Sequence, residues 1–288
     1  EENLSYYKEY VQEVNDAGMP LEFWDSQKTE EQLGTDVYAG AVYDPNGGSI
    51  HAMKFISALT QLCESIGVEI YENSEVREIN EGAIIELEVG LRSHKVNTKN
   101  IVLATNGYIS KLGYFGSTTL PVHVQTAITT PLTEKQLESI GWESRLPFFD
   151  SKNYLFHFVL RDDNRIVIGG GSADYYFRGN LEYKGDLNKV YALTMKELLR
   201  VFPSLEGITF EKVWDGVLCM NSDEVPTVGI TGRNSNVYYG LGYNGQGVNM
   251  SVMFGNVIAS VFSNKAHGWE KTPYFNFEPS YIPPEPYR

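Results

Sequence analysis

The sequence predicts a mixed α/β fold, part α/β with parallel strands and part α+β, and three observations point to it. Residues 101–107, IVLATNG, form a continuous apolar run of the kind a parallel strand shows when both faces are covered. The middle third instead alternates, over residues 122–130 and again through YLFHFVL and RIVIGGG, which is the period of an antiparallel sheet. Amphipathic helical stretches separate these strands, so a parallel region with a β-meander is interleaved with an antiparallel one.

Taken in order, residues 4–17 make a first helix, with Leu4, Tyr7, Val11 and Val14 on one face and Gly18 as its stop. VYAGAVYDPNGGSIHAMKF then carries a short strand into a Pro-Asn-Gly-Gly turn. From Ala52 the apolar residues Ile56, Leu59, Leu62, Cys63 and Ile66 recur at three and four, so a second helix is expected, with Cys63 in the core and Gly67 ending it. Residues 68–71 alternate as a strand. Three further apolar stretches, 76–79, 83–89 and 91–96, are punctuated by Gly82 and Gly90 and read as a meander before the buried run. Thr133 and Gln136 fit a capping box on a short helix ended by Gly141, and Asp162-Asp163-Asn164 turns one alternating strand into the next. Residues 186–202 form a strong helix with Leu187, Val190, Tyr191, Leu198 and Phe202 as its core side and Pro203 beyond it. FEKVWDGVLCM is a strand, NSDEVPTVG a polar turn, NVYYGLG a strand and 248–262 a helix. The tail from Thr272, rich in Pro and aromatic residues, is expected to lie extended on a surface.

Composition narrows the function. At 288 residues and 42% hydrophobic, the chain can build one large domain or two interleaved ones around a substantial core. It has no apolar run long enough to span a membrane, and its acidic, helix-like start lacks a signal peptide's basic end and apolar centre, so a soluble cytoplasmic protein is expected. Cys63 and Cys219 are too few for a disulfide framework and are not spaced as metal ligands, which suits a reducing compartment. Lys and Arg number 23 against 37 Asp and Glu, and the net charge of −14 repels phosphate backbones and anionic lipid, arguing against nucleic acid as a partner. The chain does not begin with Met and opens on a helix with no strand before it, which suggests a fragment.

Gly240-Leu-Gly242-Tyr-Asn-Gly245 spells the dinucleotide-binding pattern, and a strand before it and a helix after it satisfy two of its three conditions. The third, a following strand with a ribose-holding acid, fails, because only NKAHGWEKTPYFNFEPSYIPPEPYR remains. The motif is therefore not a first phosphate fingerprint. A glycine-dense turn entering a helix still exposes backbone N–H groups at a positive helix end, where a polar or electron-rich group can sit.

GLGYNGQGVNMS, together with VWDGVLCMNSDEVPTVG, IVLATNGYIS, GGSIHAMKFISAL and the terminal IPPEPYR, resembles the FAD-dependent amino-acid and amine oxidases, the group of glycine oxidase, sarcosine oxidase and γ-glutamylputrescine oxidase. The match runs nearly the whole chain in the family's order. It implies a partial FAD-binding, Rossmann-like domain interleaved with a substrate domain built on an antiparallel sheet. The implied boundaries are 1–44 for the first part of the substrate domain and 45–114 for the FAD-binding remnant. Residues 115–220 return to the substrate domain, 221–265 supply the last FAD-binding strand and helix, and 266–288 form the tail. By resemblance, Gly242, Tyr243, Asn244, Gly245, Gln246, Gly247 and Val248 cradle the flavin's pyrimidine edge. Ala104, Thr105, Asn106 and Gly107 lie beside the phosphate and ribose, and Val76 contacts adenine through its backbone. The family's N-terminal nucleotide-binding βαβ unit, with its fingerprint, is not found; about 100 residues are expected to be lacking, from the size of such a unit with its connections.

The implied chemistry is hydride transfer from an amine-bearing carbon to flavin N5, giving imine and reduced flavin, with no metal required. Where glycine-oxidase-like members carry the Arg of W-x-G-L-R-P, a bidentate clamp for a substrate carboxylate, this chain has Leu218 in Trp214-Asp-Gly-Val-Leu-Cys219. That departure favours an amine over an α-amino acid, with Arg161 and Arg178 as replacement clamps. Several residues stay open between two readings: His51 between capping and a flavin neighbour, and Trp214 between sheet packing and pocket. In the strand Tyr154, Phe156 and Phe158 alternate with Leu155, His157 and Val159, and one set faces a core while the other is free to line a substrate cage. Cys219 lies near the segment where sarcosine-oxidase-like relatives tether flavin, in a different register. Gly169, Gly170 and Gly171 serve a strand end or a close approach to the ring. Two other functions stay in view: a cofactor-free fragment with a binding role, and a dehydrogenase of the same fold that passes electrons to a quinone or carrier.

Overall fold

The computed structural model describes residues 2–265 and 268–287. In chain order its elements are α1 (Glu2–Asp16), β1 (Glu22–Asp25), α2 (Ser26–Leu33), β2 (Gly40–Tyr43), α3 (Ala52–Ser65), β3 (Val76–Asn80), β4 (Ile85–Val89), β5 (His94–Thr98) and β6 (Ile101–Leu103). They continue as β7 (Leu120–Thr129), α4 (Glu134–Ile140), β8 (Phe148–Phe149), β9 (Phe156–Leu160), β10 (Ile166–Gly170), α5 (Leu187–Val201), β11 (Phe210–Met220), β12 (Thr227–Thr231), β13 (Val237–Leu241) and α6 (Gly247–Phe262). The chain divides into two compact units, one of Glu1–Ile50, Val124–Ala173 and Gly185–Asp215, the other of His51–His123, Asp174–Lys184 and Gly216–Arg288.

The first unit is organised by an antiparallel sheet in the order β11-β7-β10-β9-β8. Period-two burial runs the whole length of β7, as its alternation predicts, and the buried face meets α5 in a core of Phe158, Ile166, Ile168, Leu198 and Phe202. Trp142 stacks on Phe202 with ring centroids 5.5 Å apart and closes that core. The expected capping box is formed: the Thr133 hydroxyl accepts from Gln136 N–H while the Gln136 side chain accepts from Thr133 N–H. On α1, Val11 is buried and Leu4, Tyr7 and Val14 are partly buried, the face expected of them. On α5, Leu187 departs from expectation and is 40% exposed, because it sits in the first turn beside the Asp186 cap. The sequence reading assigned nothing to β1 and α2. Their signals were Asp25, which caps α2 through Lys28 N–H, and Gly34, whose φ of 69° ends it.

The second unit holds the meander β3-β4-β5 and a three-stranded sheet β12-β13-β6, in which β6 is parallel to β13. One core lies among Ile85, Leu103, Ile109, Val237, Tyr239 and Leu241, and a second under α6 among Val228, Met250, Phe254 and Val257. The tail runs without strands but is tied down: Val228 bridges to Phe275, the Asn276 side chain accepts from Ile230 N–H, and Ile282 N–H donates to Ser117. Of the expected tail, residues 266, 267 and 288 lie outside the described ones.

Three expectations for this unit are corrected. Residues 68–71 join no sheet, and Val68, Ile70 and Tyr71 are exposed; an alternating segment becomes a strand only when a ladder partner takes its backbone groups, and none is found among the described residues. The α3 helix forms where its periodicity places it, yet none of its side chains is buried, so Cys63 is half-buried and not in a core. β6 is parallel as predicted but is covered on one face only: Leu103 is buried while Val102 is 52% exposed.

Candidate cofactor cleft and substrate face

The glycine motif is a turn from β13 into α6. Gly242, Asn244 and Gly245 take φ values of 68°, 49° and 93°, so the chain reverses within a few residues, which glycine and asparagine tolerate best. At Gly242 the tightness is also steric, because a Cβ would fall 2.7 Å from Asn221 Nδ2. Asn244 and Asn221 hold the turn to the end of β11. Asn221 N–H donates to Asn244 Oδ1 at 3.0 Å, Asn244 N–H to the Cys219 carbonyl at 3.3 Å, and Asn244 Nδ2 to the Gly242 carbonyl at 2.5 Å. Asn221 in turn grips Val225, donating to its carbonyl at 2.8 Å and accepting its N–H at 3.2 Å.

Helix α6 then begins at Gly247 with Gln246 at the N-cap and no side chain capping it. The N–H groups of its first turn have no acceptor within the helix and give that end a partial positive charge. A cleft of about 340 Å³ starts at this end, at Gly247, and runs along one flank of α6; it is lined by Val102, Ala104, Asn106, Gly240, Tyr243, Gly247, Ser251, Phe254, Gly255 and Ile258. Between the lining residues Ala104 and Asn106, the Thr105 hydroxyl is buried and has no hydrogen-bond partner among the described residues. Beside the turn, a Cβ on Gly245 would meet nothing within 4 Å. Orphaned hydroxyl, uncapped helix end and open space together fit a group with acceptor oxygens and an anionic edge, as FAD has. Tyr243 meets the cleft as a neutral phenol, its pKa pushed up to about 12 by burial, with the neighbouring Cys219 adding to the rise.

The structure thus brings Ala104, Asn106, Tyr243 and Gly247 to one cleft, with Thr105 behind it. Gly107 is buried against β11, where a Cβ would come 2.6 Å from Val217, and Asn106 Nδ2 donates to the Val217 carbonyl at 2.9 Å. Val248 is 55% exposed on α6, and Val76 pairs with Val89 in the meander. Cys219 is buried, and burial raises its pKa against hydrogen bonds from Gly242 N–H and the Thr119 hydroxyl. A protonated, enclosed thiol is a poor nucleophile for tethering flavin.

The substrate candidates are divided between the two units, with Tyr154, His157, Arg161 and Trp214 in the first and His51 and Arg178 in the second. His51 caps α3, its Nδ1 accepting from Lys54 N–H at 3.4 Å. Arg161 lies at the β9–β10 turn 3.2 Å from Asp163, and Arg178 is exposed over the Phe177 ring. Tyr154 is 61% exposed and Trp214, on β11, is 36% exposed. Phe156 and Phe158 are the core-facing set of β9, which leaves His157 and Val159 on the other face. Gly170 and Gly171 have positive φ and press on Leu155 and Phe156, so they serve the hairpin's end. Sequence reasoning missed Asn221 and the cleft wall of Ser251, Gly255 and Ile258. The four-residue spacing of Gly247, Ser251 and Gly255 was the available signal for the wall.

The chain is 28% identical over 246 residues to the probable oxidoreductase OrdL of Haemophilus influenzae, covering 83% of this chain and 53% of that protein. It is 27% identical over 255 residues to γ-glutamylputrescine oxidoreductase of Escherichia coli, covering 87% and 56%. The chain therefore spans about half the length of the curated relatives it matches. Among solved structures, glycine oxidase of Geobacillus kaustophilus superposes with a TM-score of 0.80 at 19% identity, over 96% of this chain and 71% of that one. L-proline dehydrogenase of P. horikoshii also gives 0.80, at 17% identity, over 96% and 73%. The family described as DAO, FAD dependent oxidoreductase, matches residues 1–261, so the chain belongs to the DAO family of FAD-dependent oxidoreductases.

Proposed function

We propose that this chain forms the flavin-ring side of an oxidoreductase that oxidises the C–N bond of an amine, the remaining nucleotide contacts coming from a segment outside it. The observation that carries this reading is the buried Thr105 hydroxyl, partnerless among the described residues, between two residues that line a cleft reaching the uncapped first residue of α6, Gly247. When bound, FAD supplies the hydride acceptor for C–N oxidation. The first-turn N–H groups of α6 would stabilise negative charge on the flavin, as a donor set that needs no rearrangement. The Asn221–Asn244 brace holds the turn that leads into those donors, and the Thr105 hydroxyl would donate to an acceptor oxygen of the cofactor.

Leu218 supports an amine substrate, since by resemblance β11 lacks the guanidinium that clamps an α-carboxylate. The similarity to γ-glutamylputrescine oxidoreductase, named for a compound that contains a putrescine amine, supports an amine substrate. A further segment is supported by the uncovered apolar faces of α3 and residues 68–71 and by Val102 on an edge strand, surfaces that a folded domain ordinarily buries.

The test is flavin absorbance of the purified full-length protein, followed by Thr105→Val. That substitution is expected to weaken FAD binding about tenfold, the value of a lost hydrogen bond, without lowering fold stability, because it removes an unsatisfied buried group. A full-length protein that stays colourless after FAD is added refutes the reading and leaves the cofactor-free binding role. The similarity to a D-amino acid dehydrogenase of Methylobacterium radiotolerans supports a second reading, electron transfer to a carrier. Hydrogen peroxide release with amines supports an oxidase; dye reduction without peroxide supports the dehydrogenase.

A further inference from the structure

The face of the five-stranded sheet turned away from its core carries one row with a defined chemical character. Phe149, His157, Gly169 and Thr126 stand directly opposite one another across β8, β9, β10 and β7. The next row along is Val159, Val167 and Ile128, wholly apolar. Gly169 is the key to the first row. A Cβ there would fall 2.4 Å from His157 Cε1, 2.8 Å from His157 Nε2 and 2.8 Å from Thr126 Oγ1. The imidazole therefore leans over the glycine toward the threonine hydroxyl, and the two polar groups share the space that a side chain would fill.

Burial alone lowers the pKa of His157, and Phe149, Gly169 and Thr126, its row neighbours on β8, β10 and β7, carry no charge. A neutral imidazole offers one lone pair and one N–H, and the hydroxyl adds one donor and two acceptor positions. With an apolar floor beside it, the pair suits an N–H donor on a short aliphatic chain and offers a carboxylate no cation.

We propose that His157 and Thr126 form the amine subsite of this protein, in which the imidazole accepts an N–H of the substrate amine and the threonine hydroxyl fixes its direction. This rests on the functional reading above, and it names positioning residues, with no proton or electron moved by either. It also gives Gly169 a purpose, since any larger residue displaces the imidazole from its seat.

The experiment uses the full-length protein with histidine labelled with carbon-13 at Cε1, kept anaerobic with any flavin reduced, and His157→Gln to identify the His157 resonance. Butylamine is titrated in, with butanol and butyrate as matched controls. A saturable shift of the His157 signal by butylamine, absent with both controls and weakened about tenfold by Thr126→Val, supports the subsite. A signal that butylamine leaves in place, that butyrate moves equally, or whose response Thr126→Val leaves intact overturns it. Because the titration needs no turnover, a protein that holds no FAD sinks the functional reading while leaving this measurement decisive.

Discussion

Asn221 shows how much of the cofactor turn depends on one side chain. It is 4% exposed and satisfies both backbone groups of Val225, while its own N–H is taken by Asn244. Asn221→Ala leaves the Val225 N–H and carbonyl without those partners, and the expected loss is about 1–3 kcal/mol, read as a lower urea midpoint. Flavin affinity of the full-length protein is expected to fall with it, because the turn is released from β11. The brace was not legible in the sequence: NSDEVPTVG reads as a turn, but its partner lies 23 positions away, and nothing local marks the pair. Glu197 gives a pH-dependent counterpart. Burial is the largest influence and pushes its carboxyl up, but hydrogen bonds from Arg200 and Lys152 outweigh it and hold the pKa below the ordinary carboxylate range. A lowered folded pKa contributes stability above the unfolded value, and that contribution is lost as pH falls through the folded one. Urea midpoints measured from neutral to acid pH should fall less steeply in Glu197→Gln than in the unaltered chain; equal slopes would show that Glu197 carries none of the acid sensitivity.

At the level of elements, α3 and α5 look alike in sequence and differ in the folded chain. Both repeat apolar residues at three and four, but α5 buries Val190, Leu198 and Val201 while α3 buries nothing. Periodicity reports that a helix has a face to bury and is silent on whether the chain holds the surface that covers it. Most elements were legible because their signals are local: the alternation of β7, the box at Thr133 and the positive-φ Asn164 between β9 and β10 each involve neighbours in sequence. The strand expected at 68–71 failed because pairing is not local. The same contrast gives a prediction. Leu198→Ala is expected to cost about 2–5 kcal/mol, since Leu198 is fully buried. Leu62→Lys, at a residue 56% exposed, is expected to stay within about 0.5 kcal/mol of the unaltered chain. Chemical denaturation of the two variants checks both values, and a large loss in Leu62→Lys would mean that α3 has a buried face after all.

For the whole molecule, the uncovered surface makes association the expected behaviour of this chain by itself. Met53, Ile56, Leu59, Leu62 and Ile66 on and just beyond α3, Val68, Ile70 and Tyr71 after it, and Val102 on β6 are all 42% exposed or more. Isolated apolar side chains on a surface are ordinary, but so many within one stretch of chain act as a contact surface. A strand edge that ends its sheet, as β6 does, adds unpaired backbone groups to the same unit. Opposing this is a net charge of −14, which keeps copies apart at long range and is screened by salt. Sedimentation velocity should therefore show a chain that associates more at about 0.5 M salt than at about 0.05 M, since the Debye length shrinks severalfold over that range while apolar attraction persists. Leu59→Glu with Leu62→Glu should abolish the salt-induced association by placing charge on the face itself. A chain that stays monomeric at high salt would show that these side chains do not drive self-contact. A chain whose association survives the double substitution would move the contact from α3 to the strand edge.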